Sequence, residues 1–192
     1  GANDGDTIEL HEGTYEVYST ITVNKAVTIS KVVTDTNPAV IIGQNSTTIP
    51  VLSITANNVT IKNLDITLTE EAITAYGKQY DGLIHAGIYN MVGNPTGIQV
   101  LNNKIYVPLQ GTRDTMGNWG AFGIKFESGC SATITGNTIY NTRQGISGGY
   151  GSSLNIQNNT IYNTKGGICI YTNIGDIANH TISNNHWDAP DA

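Results

Sequence analysis

The chain is short of charge, of leucine and of cysteine, and each shortage removes a class of protein. Charged residues make up 12% of its 192 positions, about half of the roughly 25% usual in soluble domains. Nine Lys and Arg stand against fifteen Asp and Glu, for a net charge of −6. No basic stripe is left to neutralise phosphates, so nucleic acid is not an expected partner. No apolar run approaches the roughly 18 residues of a membrane span, so membrane insertion is not expected either. Cys130 and Cys169 are the only cysteines, too few for a disulfide framework and outside any CxxC spacing, so both are expected as free thiols and no metal site is expected from them. What the chain has instead is Asn, Thr, Ser and Gly, an uncharged polar surface that fits an extracellular, cell-surface or periplasmic protein.

The apolar residues are arranged in copies. "VTIKNLDIT" (59–67), "IQVLNNKIY" (98–106), "TITGNTIYN" (133–141), "NIQNNTIYN" (155–163) and "TISNNHWD" (181–188) each carry a β-branched residue, a polar pair and a second large apolar residue. A second series interleaves with it: "HAGIYNM" (85–91), "AFGIKFE" (121–127), "RQGISGG" (143–149) and "KGGICIY" (165–171), with Gly123, Gly145 and Gly167 spaced by 22. Two series with one period define a unit of about 22 residues built from several short strands. With 25 Ile against 8 Leu, and apolar residues alternating with Thr, Ser and Asn, the unit is a coil of parallel strands and not a leucine-rich repeat. The expected fold is all-β, a right-handed parallel β-helix. Stacked coils place Asn102, Gly136, Asn158 and Asn184 in one ladder at a tight turn, a position that suits residues tolerant of left-handed backbone and able to share amide hydrogen bonds.

The opening third reads the same way, and here the pattern becomes specific. "GDTIELHEGTYEVYSTITVNKAVTIS" (5–30), then "VIIG" and "NNVTIKNLDI", resembles the first coils of the pectin-lyase-like right-handed β-helix superfamily, in particular its surface and periplasmic repeat proteins. "NNHWDAP" is similar to the Asn-Asn-x-Trp-Gly ending of the last coil in many of those proteins, with Asp188 where Gly is usual. The resemblance implies a short capping helix ahead of the first coil. The abrupt start at "GANDGDTIEL" therefore suggests that residues 1–192 are a single β-helix domain excised from a larger protein.

Departures from the period mark inserted loops at 68–85 and 107–120, which carry "TEEAITAYGKQYDGLIH" (69–85) and "VPLQGTRDTMGNW" (107–119). Leaving adjacent coils at one corner, they are expected to rim a groove floored by the Gly-Ile strands. If Ile88, Ile124, Ile146 and Ile168 point inward, period 2 sends Tyr89, Lys125, Ser147 and Cys169 outward, with Met91, Glu127, Gly149 and Tyr171 beside them. His85 and Arg143 are then placed at the lip. Tyr76, Tyr80, His85, Tyr89, Asp114, Trp119, Lys125, Glu127 and Arg143 form the candidate ligand-binding set, rings for sugar faces and charges for hydroxyls or carboxylates.

Three functions follow from these residues. The leading one is a noncatalytic module of a secreted or cell-surface protein, a rigid spacer or adhesive scaffold that contacts polysaccharide or cell-surface glycan. The resemblance also implies a polysaccharide lyase or epimerase acting on uronate polymers, with Lys125 or Arg143 as base; Ca²⁺ enters only under that alternative, and otherwise no cofactor is expected. A third is an S-layer or fibre component that self-associates through exposed strand edges.

Overall fold

A computed structural model of the protein describes residues 1–45, 49–76, 81–88, 93–108, 121–171, 181–183 and 186–188. Its strands, numbered β1–β20 along the chain, form three parallel sheets. The first holds β1 (Thr7–Leu10), β4 (Thr28–Lys31), β7 (Thr60–Lys62), β10 (Ile98–Leu101), β13 (Ser131–Thr135), β16 (Ser153–Gln157) and β19 (Thr181–Ser183). The second holds β2 (Gly13–Val17), β5 (Ala39–Gly43), β8 (Asp65–Leu68), β11 (Lys104–Tyr106), β14 (Thr138–Tyr140), β17 (Thr160–Tyr162) and β20 (His186–Asp188). In the third, β3 (Ile21–Val23), β6 (Leu52–Ile54), β9 (Gly82–Ala86), β12 (Phe122–Phe126), β15 (Gln144–Gly148) and β18 (Gly166–Ile170) follow one another. Every neighbour in a sheet comes from the next coil, so the chain winds as a right-handed parallel β-helix.

Isoleucine drives this because it is β-branched and large, and in register it stacks on itself. Ile29, Ile61, Val100, Ile134 and Ile156 pair in sequence across the first sheet, and Ile41, Ile66, Ile105, Ile139 and Ile161 across the second. All ten are buried in one continuous core. The third sheet adds Leu52, Ile84, Ile124 and Ile146, buried, with Ile168 packed against them.

The polar pair between the first two sheets divides into two jobs. Asn63, Asn102 and Asn158 have φ of 58°, 54° and 56°, and Gly136, at 71°, occupies the same corner. These residues turn the chain. The hydrogen-bonded ladder predicted for them belongs instead to the residue that follows. Asn137 Oδ1 accepts the Asn103 backbone N–H at 3.0 Å, and Asn159 Oδ1 accepts that of Asn137 at 2.9 Å. Each side-chain amide also donates down the coil: Asn103 to Ile61 O at 2.9 Å, Asn137 to Val100 O at 2.8 Å and Asn159 to Ile134 O at 2.9 Å. Asn184 lies outside the described residues. A second stack lies on the outer face of the second sheet, where Tyr106, Tyr140 and Tyr162 sit ring on ring at 4.9 and 4.8 Å with planes within 6°. That spacing is the distance between strands, so the coil repeat itself sets it.

The region predicted as a first inserted loop is more ordered than expected. Leu68 still belongs to β8, a short helix α1 runs over Glu70–Tyr76, and residues 82–86 form β9. Thr69 caps the helix, its Oγ1 accepting the Ala72 N–H at 3.2 Å, and Ala72 and Ile73 are fully buried. In the second predicted loop, Val107 is buried in the core and residues 109–120 lie outside the described set. Among the described residues no helix is long and apolar enough to cross a membrane.

Candidate functional site

The outward column of the third sheet is Thr22, Ser53, His85, Lys125, Ser147 and Cys169. Ser147 and Cys169 pair in the register expected of them, although Ser147 is covered and only 2% exposed, and Lys125 stands between His85 and Ser147. The first member of the expected Gly-Ile series does not fit. Ile124 pairs with Ile84, not Ile88, and His85 therefore takes the place assigned to Tyr89. Gly87 has φ of 85° and a Cβ there would lie 2.8 Å from Asn94 Cγ and 2.9 Å from Cys130 Sγ. The chain leaves the sheet at this glycine, and Ile88 is more than half exposed. Asn94 pins the turn, accepting the Ile88 N–H at 2.8 Å and donating to Ile88 O and Ser128 O.

The corrected register builds a chain of four charged groups. His85 Nδ1 lies 3.2 Å from Asp81 Oδ1, His85 Nε2 lies 3.0 Å from Glu127 Oε1, and Lys125 Nζ lies 2.7 Å from the same Glu127 oxygen. Glu127 is nearly buried, its side chain 5% exposed, while His85 and Lys125 are at 12% and 18%. Burial opposes charge on His85, but its hydrogen bonds to Asp81 and Glu127 outweigh burial and raise its pKa above the usual imidazole range. Burial likewise pushes the Glu127 carboxyl upward, and the bonds from His85 and Lys125 more than reverse it, leaving its pKa below the usual range. Asp81 and Glu127 bind opposite nitrogens of one ring, so the three do not converge on a common point; among the described residues no three such side chains do.

Beside this chain lies a cleft of about 250 Å³ lined by Phe122, Lys125, Phe126, Glu127, Ser128, Ser147, Gly149, Tyr150 and Tyr171. Tyr150 and Tyr171 are half exposed, their rings 6.4 Å apart and tilted by 55°. Coil geometry puts them together: the Tyr171 N–H donates to Gly148 O and the Gly129 N–H to Tyr150 O, so the two tyrosines stand on neighbouring coils and share the cleft wall with Lys125 and Glu127.

Of the nine expected ligand-binding residues, the structure thus joins His85, Lys125 and Glu127. Arg143 precedes β15, its N–H donating to Ala121 O and its carbonyl accepting the Gly166 N–H at 3.0 Å each; among the described residues it is not one of the four charged groups and does not line the cleft. Tyr80, Tyr89, Asp114 and Trp119 lie outside the described residues; Tyr76 closes α1, its side chain undescribed. Sequence reasoning missed Asp81, Phe122 and Tyr150. It placed Tyr171 beside the outward column without assigning it a contact, though that placement was the available signal. Compared with protein-family models, curated proteins and solved structures, the chain matches none.

Proposed function

We propose that this protein is a noncatalytic β-helix module of a secreted or cell-surface protein, a member of the pectin-lyase-like superfamily, and that it acts as a rigid scaffold contacting carbohydrate through its third sheet. The observation that carries the reading is the cleft whose wall Tyr150 and Tyr171 share with the Lys125–Glu127 pair. Half-exposed rings offer apolar faces to the C–H surface of a sugar, and a fixed ammonium and carboxylate offer a donor and an acceptor to its hydroxyls. The surrounding ladders support the scaffold role, since side chains as well as backbone tie together the successive coils from Leu64 to Tyr162.

The lyase or epimerase reading is favoured by one feature, Lys125 at the cleft wall. Its Nζ is held 2.7 Å from Glu127, so a base acting at that atom must first leave an ion pair in a largely buried setting. A glycan panel followed by calorimetry on the wild type and on a Tyr150→Ala, Tyr171→Ala double variant tests the proposal. Binding that disappears in the double variant, with unchanged circular dichroism, is the expected outcome. Release of an unsaturated, ultraviolet-absorbing product from uronate polymers, lost in Lys125→Ala, would replace the proposal with the lyase reading; no binding anywhere in the panel would leave a pure spacer.

A further inference from the structure

The charges beside the third-sheet cleft add up to a property that no single residue shows. Lys125 and His85 stand against Asp81 and Glu127, two bases for two acids. With both carboxylates ionised, the group is neutral when the imidazole is protonated and carries one net negative charge when it is not, so it is never positive. Among the described residues no other charged side chain lines the cleft; the rest of the wall is four aromatic rings, two serines and Gly149.

A charged ligand meets an obstacle here whichever its sign. One donor of Lys125 is already on Glu127 at 2.7 Å. A ligand carboxylate reaching the other donors would stand two hydrogen-bond lengths, about 6 Å, from the Glu127 carboxylate, a juxtaposition of like charges that opposes binding. A ligand ammonium finds the Glu127 side chain only 5% exposed, its Oε1 shared by Lys125 and His85. A hydroxyl escapes both: it accepts from Lys125 and donates to a serine oxygen without bringing charge.

Shape narrows the class further. The cleft of about 250 Å³ falls below the roughly 300–1,000 Å³ of drug-sized sites, room for one sugar ring. The Tyr150 and Tyr171 rings are tilted by 55° and form a V, so a flat aromatic ligand cannot be sandwiched between them, whereas a puckered pyranose can lay its C–H face on one ring and its edge on the other. Gly149 keeps the wall between them bare, since a Cβ there would lie 2.7 Å from Ser128 N and 2.9 Å from Glu127 C.

On the reading that this cleft takes sugar, we propose that its ligand is an uncharged hexopyranose unit of a neutral glycan and that it discriminates against uronate. Glu127 is the discriminating residue, because its carboxylate cancels the ammonium that would otherwise draw an acidic sugar.

The full chain is titrated by calorimetry at about pH 5.5, between the ordinary carboxyl and imidazole values, where the sugar acids are ionised and the raised imidazole of His85 is protonated. This condition is the most favourable to an anion. The ligands are matched: cellotetraose beside the β-1,4-linked tetramers of glucuronate and of glucosamine, and tetragalacturonate with its carboxyls free or methyl-esterified. The uncharged member is expected to bind roughly tenfold more tightly than its charged counterpart, and the Tyr150→Ala, Tyr171→Ala double variant to lose that binding. Glu127→Gln, which leaves Lys125 uncancelled, is expected to turn the preference toward the acid form. Equal or tighter binding of a charged member, lost in the double variant, would overturn the uncharged class and leave the cleft a sugar site; so would an unchanged preference in a folded Glu127→Gln. Should that variant fail to fold, the wild-type comparison decides alone. Binding that survives the double variant, or no binding of any member, would overturn the sugar reading of the cleft together with this one.

Discussion

Replacing Asn137 by alanine should be among the most damaging single changes in the coil, and the structure allows the damage to be worked out. Asn137 is 1% exposed and its neighbour Asn103 is 2% exposed. Its Oδ1 accepts the Asn103 N–H at 3.0 Å, and its Nδ2 donates to Val100 O at 2.8 Å and Asn159 Oδ1 at 2.9 Å. Alanine leaves the buried Asn103 N–H without that acceptor, a loss of about 1–3 kcal/mol, and removes two further bonds of about 1 kcal/mol each. The expected cost is about 3–5 kcal/mol, a large share of the roughly 5–15 kcal/mol that holds a domain together. Asn102→Gly is the matched control one position earlier: the side chain is exposed and φ is 54°, a backbone region in which glycine is at ease, so the change should cost at most a few tenths of a kcal/mol. Urea denaturation reads the global effect. Because solenoids can lose all-or-none behaviour, hydrogen exchange at the Asn103 amide supplies the local one, and its protection should fall in Asn137→Ala alone. A loss below about 1 kcal/mol, unchanged protection at Asn103, or an equal effect of Asn102→Gly would refute the division of the polar pair into corner and ladder.

Two further outcomes follow from the titratable groups. Cys130 is buried, its Sγ 3.4 Å from Ala86 O, and its pKa is pushed up to about 12 chiefly by burial; both cysteines are free. A thiol reagent at mildly alkaline pH should modify Cys169 first and Cys130 only on unfolding, and a mass spectrum showing an intramolecular bridge would contradict the coil stacking. In the third-sheet chain, the depressed carboxyl of Glu127 contributes stability that is present above its unfolded pKa and lost as pH falls through the folded value. The raised imidazole of His85 contributes stability present below its unfolded pKa and lost as pH rises through the folded one. Melting temperature should therefore peak between the two ordinary pKa values, about 4.3 and 6.5, and Glu127→Gln should flatten both limbs because His85 loses a partner as well. A profile unchanged by Glu127→Gln would show that the pair does not couple to folding.

The strands were legible because isoleucine repeats with a period that counting alone recovers wherever no segment intervenes, as from Ile134 to Ile156. The corner was legible too, but its two polar residues were not told apart, since "NN" at 102–103 and 158–159 offers the same letter twice. "GN" at 136–137 does separate them: Gly136 has no side chain to place in a ladder, so Asn137 must supply it, and a Cβ at Gly136 would run into Asn102 Oδ1. Register across the 68–85 segment could not be counted in the same way. A helix and a strand of unknown lengths lay inside it, and the Gly-Ile pair at 87–88 imitated the repeat while forming the turn after it.

That miscount had a chemical consequence. With Ile88 in the core, His85 falls outside the column and Lys125 and Glu127 look like an isolated surface pair, worth little in water. With Ile84 in the core, His85 stands beside Lys125 on the neighbouring strand and reaches Glu127, and a pair becomes a partly buried network centred on Glu127, with Asp81 behind it. One glycine decides between the two arrangements, because Gly87 turns the chain away from the sheet against Asn94 and Cys130. The regular coils set the spacing of the side chains, and an irregular stretch nearby decides which of them meet.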